Sequence, residues 1–176
     1  MNATLAAWNA ADESAAMDAM LACCGSTRWA RAMVAQRPIA NVLALSDGAD
    51  RAWAAMHEPD WMEAFACHPR IGERKPPPAV FSGRGAVGRA SDWSRQEQSS
   101  ARAAGELLLA ELEEDNRRYE ERFGFTYIVC ATGKSAAEML TILKRRLAND
   151  RETELREAVE QQRQILQIRL GKWLAE

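Results

Sequence analysis

Only one stretch of the 176-residue chain, FTYIVC at positions 125–130, is built from residues that favour an extended backbone. A single short run has no second strand to pair with, and an isolated strand does not make a sheet. It therefore reads as a buried extended connector, whose backbone N–H and C=O groups need partners from elsewhere in the chain. Everything else must be helix or loop. The abundance of Ala, Leu, Glu and Arg and the low aromatic content, 7%, agree with that. The expectation is an all-α fold, a single-domain compact helical bundle over residues 1–176, with enough length to bury most of its apolar surface.

Helix starts punctuate the first third of the chain. Ser14 precedes AAMDAML, Gly25, Ser26 and Thr27 precede RWARAMVAQ, Asn41 precedes VLAL, and Pro59 and Asp60 precede WMEAFAC. Trp29 with Met33, and Trp61 with Phe65, each share one helix face and are expected in the core. A long helix is predicted from residue 94 to 123, with Ala104, Leu108, Leu112, Tyr119 and Phe123 facing inward and Gly124 as its left-handed cap. Ser135 and Glu138 form a capping box before the next helix, and a last helix is predicted from about residue 152 to 173.

One long loop interrupts this pattern at 72–93, rich in Pro, Gly, Arg and Ser with three consecutive prolines at 76–78. It contains a literal G-x-G-x-x-G at 83–88, but no strand precedes it and no βαβ unit surrounds it, so a dinucleotide site is not implied. Basic and acidic residues number 23 and 25 and are mixed along the chain, which leaves no footprint for nucleic acid. Cys23, Cys24, Cys67 and Cys130 lack zinc or disulfide spacing, and two histidines with scattered acids make no metal set. With no signal-like N-terminus and no apolar run of membrane-spanning length, the chain reads as soluble and cytoplasmic, without metal or cofactor.

His68 stands where the helix containing Trp61 must stop, because the ring of Pro69 restricts the preceding residue to extended geometry. An imidazole held on rigid backbone beside a long loop suits a general acid or base, since it titrates near neutrality. The plainer reading is a helix-end histidine that complements the macrodipole. Glu97, with Ser94, forms a capping box, and its carboxylate is also placed to meet a ligand. Arg146 lies near the centre of the apolar arc of Met139, Leu140, Ile142, Leu143 and Leu147, and a guanidinium there needs an anion. That anion is either an internal carboxylate such as Glu97 or the carboxylate or imide of a substrate. Cys67 beside His68 is no nucleophile and base pair, because neighbours on extended backbone point apart, and His57 reads as an exposed residue.

Four segments, DWMEAFACHPRIGERK, WSRQEQ, RFGFTYIVCATGKSAAEMLTILKRRLAND and QILQIRLGKWL, together resemble the 2-oxo-4-hydroxy-4-carboxy-5-ureidoimidazoline (OHCU) decarboxylase family in the same order. The resemblance implies an all-helical, cofactor-free enzyme, usually a homodimer, that converts its substrate to (S)-allantoin after urate oxidase and hydroxyisourate hydrolase have acted. It places the catalytic histidine on His68, the glutamate of the Glu-Gln motif on Glu97 and the arginine on Arg146. The substrate-binding positions fall on Pro69, Ser94, Gln98, Ile128, Val129, Cys130, Ala131 and Thr132. The competing reading is a non-catalytic helical binding module, in which Arg146 is paired internally and the loop is an interaction segment.

Overall fold

The computed structural model describes residues 2–71 and 105–176, and these form eight helices and no strand. In chain order the helices are α1 (Ala3–Ala10), α2 (Glu13–Cys23), α3 (Thr27–Val34), α4 (Val42–Ala54), α5 (Glu58–Ala66), α6 (Glu106–Phe123), α7 (Ala136–Arg146) and α8 (Arg151–Leu174). The loop at 72–93, its G-x-G-x-x-G and the expected helical residues 94–104 lie outside the described residues.

Local chemistry starts most of these helices. Asn2, Asp12, Ser26 and Asn41 each accept a hydrogen bond from a backbone N–H in the first turn that follows. Asp12 corrects the expectation of a start at Ser14: a carboxylate two residues earlier satisfies one orphan donor of α2, the Ala15 N–H, and draws Glu13 into the first turn. Helix α5 likewise begins at Glu58, ahead of Asp60, whose carboxylate accepts the His57 N–H at 3.0 Å. Helix α6 departs further from expectation, because Gly105 is extended (φ −64°, ψ 155°) and the helix opens only at Glu106. Gly124, with φ 80°, closes it as a left-handed cap, and the Ser135–Glu138 capping box opens α7.

The described residues fall into two units. The first comprises residues 2–64 and 163–176. Its core holds Leu5, Met20, Trp29, Met33 and Leu45 with no exposure, and Trp8 meets Trp173 edge-on at 5.9 Å. Buried indoles would be costly with idle N–H groups; Trp8 donates to the Ala16 carbonyl at 3.0 Å and Trp29 to that of Ala49 at 3.2 Å. Trp61 is only half-buried, so of the two expected aromatic faces that of Trp29 and Met33 is core throughout while that of Phe65 is core only in part.

The second unit comprises residues 65–71 and 105–162. Its centre is an aromatic cluster, in which Tyr119 lies 4.7 Å from Phe123, 5.7 Å from Phe125 and 5.2 Å from Tyr127, and Phe65 lies 5.4 Å from Phe125. Leu112, Met139 and Leu143 of the same unit are fully buried. Helix α8 supplies residues to both units. No described helix is long and apolar enough to cross a membrane, and no cluster of His, Cys, Asp and Glu able to hold a metal lies among the described residues.

Candidate active site

The segment after α5 carries the first two site residues. The His68 N–H donates to the Phe65 carbonyl at 3.1 Å, so the residue leaves the helix still tied to its last turn, and His68 and Pro69 are both half-buried. Arg70 then forms a forked pair with Glu120 of α6, Nε to Oε1 at 2.8 Å and Nη2 to Oε2 at 2.5 Å. One turn earlier on α6, Asn116 Nδ2 donates to the Ile71 carbonyl at 3.2 Å.

The connector follows α6. Phe125, Tyr127, Ile128, Val129, Cys130 and Ala131 are buried, while Thr132 is exposed. With no sheet to join, its polar backbone is met by side chains, as its solitary character required. The Cys130 N–H donates to Gln161 Oε1 at 2.8 Å, the Cys130 carbonyl accepts from Lys134 Nζ at 2.7 Å, and the Ile128 carbonyl accepts from Arg146 Nη1 at 2.6 Å.

Arg146, on α7, has no exposed surface. Its Nε donates to Glu154 Oε1 at 2.7 Å and its Nη2 lies 2.5 Å from the same oxygen. Tyr119 donates its hydroxyl to that oxygen too, and Asn149 Nδ2 donates to the other at 2.8 Å. The Tyr127 ring lies 4.9 Å below the guanidinium. Burial works against the Arg146 cation, yet its pKa lies above the ordinary value, and the hydrogen bond to Glu154 is the largest influence raising it. Burial also pushes the phenols of Tyr119 and Tyr127 well above theirs, so both remain protonated donors.

The structure thus joins Arg146 to the connector through Ile128 and places His68 and Pro69 in the same unit. Ser94, Glu97 and Gln98, and with them any pairing of Arg146 with Glu97, lie outside the described residues. The carboxylate that meets Arg146 is Glu154, which the sequence reading did not single out. Its signal was the inner stripe of the last helix, since Glu154, Ala158 and Gln162 recur every four residues and all three are fully buried. Gln161, Asn116 and Tyr119 were missed as polar partners because their roles depend on packing.

A sequence profile of the OHCU decarboxylase family matches residues 9–171. The chain belongs to the OHCU decarboxylase family. Among its relatives, the uric acid degradation bifunctional protein of Arabidopsis thaliana is 36% identical over 154 residues, which is 85% of this chain and 44% of that protein. The 2-oxo-4-hydroxy-4-carboxy-5-ureidoimidazoline decarboxylase of Amia calva is 35% identical over 109 residues, 59% of this chain and 55% of that one. The chain therefore spans about half the length of these two curated relatives. A crystal structure of an OHCU decarboxylase in the presence of (S)-allantoin superposes with a TM-score of 0.74 at 32% identity, covering 90% of this chain and 99% of that chain. The all-helical architecture expected from the family resemblance is the one found among the described residues.

Proposed function

We propose that residues 1–176 act as one catalytic domain that decarboxylates OHCU to (S)-allantoin in urate breakdown, without metal or cofactor. The observation that carries this reading is the match at 32% identity to an OHCU decarboxylase crystallised in the presence of (S)-allantoin, over 99% of that chain. The chemistry asks three things of the protein. It must orient the C–C bond that breaks, stabilise the electron pair left on the ring as carbon dioxide departs, and deliver one proton to one face of that ring.

In this reading His68 meets the substrate hydroxyl and performs the proton transfers, supported by its tether to Phe65 and by Pro69. Glu97 takes ureido or ring N–H groups, and Pro69, Ser94, Gln98 and the backbone of 128–132 surround the ligand. Arg146 serves the anionic carbonyl edge. Its guanidinium is already engaged by Glu154, Tyr119 and Ile128, so a substrate shares that cation with an internal carboxylate. The protein works as a cytoplasmic homodimer, downstream of urate oxidase and hydroxyisourate hydrolase.

The internal Arg146–Glu154 pair is also what a non-catalytic binding module would contain. One experiment separates the readings. OHCU is generated in place from urate with urate oxidase and hydroxyisourate hydrolase, this protein is added, and optically active allantoin is followed by circular dichroism. Rapid formation of the (S) enantiomer, lost in His68→Ala while (S)-allantoin binding persists, is the expected result; a trace no faster than spontaneous decay rejects catalysis. Sedimentation as a concentration-independent monomer would reject the homodimer.

A further inference from the structure

We infer that Glu120 and Asn116 of α6 are positioning residues for His68, acting through Arg70 and Ile71. The inference rests on the reading of His68 as the proton-transfer group. Three constraints bracket that residue. On its N-terminal side the His68 N–H is held by the Phe65 carbonyl at 3.1 Å; on its C-terminal side Arg70 is gripped by both oxygens of Glu120, and the Ile71 carbonyl by Asn116 at 3.2 Å.

Asn116 and Glu120 are four residues apart on one helix, so they present their groups from the same face, one turn apart. Asn116 is fully buried and anchored at 2.7 Å to the Leu112 carbonyl, which fixes the amide before it reaches Ile71. Pro69 has little freedom in φ, so fixing Arg70 and Ile71 leaves few torsions through which His68 can drift. Proton transfer is sensitive to such drift, because a misplacement of about 1 Å can cost on the order of a hundredfold in rate.

The Arg70–Glu120 pair is ill suited to a purely stabilising role. The Arg70 side chain is 48% exposed, and ion pairs at that level of exposure contribute little to global stability. Their geometry is another matter: a two-pronged guanidinium–carboxylate contact fixes direction as well as distance.

The test uses the full chain with Arg70→Glu, Glu120→Arg, the double swap of both, Glu120→Gln as a milder single change, and Asn116→Ala. Only two histidines are present, and exposed His57 serves as an internal reference for the ring resonances of His68 in nitrogen-15 NMR spectra. Each single substitution is expected to lower kcat by about tenfold with KM changed less than about twofold. The His68 signals should shift while those of His57 stay, and the swap should restore both kcat and spectrum.

Wild-type kcat and unmoved His68 signals in the single variants would overturn the inference. So would single variants that are impaired but not rescued by the swap, because Arg70 would then act through something other than this pair. If the wild-type chain makes no allantoin, the proposed function fails, yet the His68 spectra still decide whether Glu120 and Asn116 set the imidazole's geometry.

Discussion

Arg146 and Glu154 belong to different helices, α7 and α8, and meet at 2.7 Å with neither side chain exposed to solvent. Two opposite charges taken out of water are tolerated only when their remaining hydrogen-bonding capacity is used. Tyr119, Asn149 and the Ile128 carbonyl use it.

Removing one partner is therefore costlier than removing both. Among the described residues, Glu154→Ala leaves the buried Arg146 cation with only the Glu157 carboxylate, 3.8 Å from its Nε, and is expected to cost about 3 kcal/mol of unfolding free energy, whereas Arg146→Met with Glu154→Leu should cost clearly less. Urea unfolding of the single and double variants checks the ordering. A double variant less stable than Glu154→Ala would contradict it.

Gln162 is the opposite case. It is fully buried, and neither Oε1 nor Nε2 has a hydrogen-bond partner among the described residues. An idle buried amide costs about 1–3 kcal/mol, so Gln162→Leu, close in volume, is expected to raise stability by about 1 kcal/mol and the melting temperature by a few degrees. Calorimetry showing a lower melting temperature would count against this.

Gln161, its neighbour, has a partner that matters. Replacing it with Ala frees the Cys130 N–H and removes one restraint from the connector, at a cost of about 1 kcal/mol in stability. On the proposed function, isothermal titration should also show (S)-allantoin binding weakened by severalfold. Unchanged affinity would place the Cys130 amide outside the ligand's reach.

Acid should loosen the start of α7 and of α8 together. Glu138 has its pKa lowered by the Ser135 backbone N–H, and Asp150 has its own lowered by the Thr153 backbone N–H. A carboxylate whose folded value lies below its unfolded value adds stability above the unfolded value, and that stability is lost as pH falls through the folded one. Glu138→Gln with Asp150→Asn should therefore flatten the loss of urea resistance from about pH 6 to about pH 3. An unchanged acid slope would show that other groups carry it.

Helices were the most legible part of the sequence, since caps and period are local. Ser26, Asn41, Gly124 and the Ser135–Glu138 box needed no tertiary knowledge. Gly105 was overlooked because its neighbours on both sides favour helix, so a single glycine weighed little against a long periodic stretch. The buried placement of Arg146 could be read from its arc on α7, but its partner could not. Glu154 is on another helix, and nothing local distinguishes an inward carboxylate from an outward one until the packing is known. The same holds for Asn116 and Gln161, whose targets are main-chain atoms 45 and 31 residues away.

The connector has one further consequence. Gln161, Lys134 and Arg146 each hydrogen-bond its backbone, at Cys130 and Ile128. The atoms they hold are common to nearly every amino acid, so apart from Tyr127, whose hydroxyl donates to the Met139 carbonyl and whose ring meets Arg146, substitution in this stretch is filtered by shape and apolarity while the hydrogen-bonding edge is inherited unchanged. At position 130 proline is the sole residue that would erase it, because the nitrogen there must carry a hydrogen.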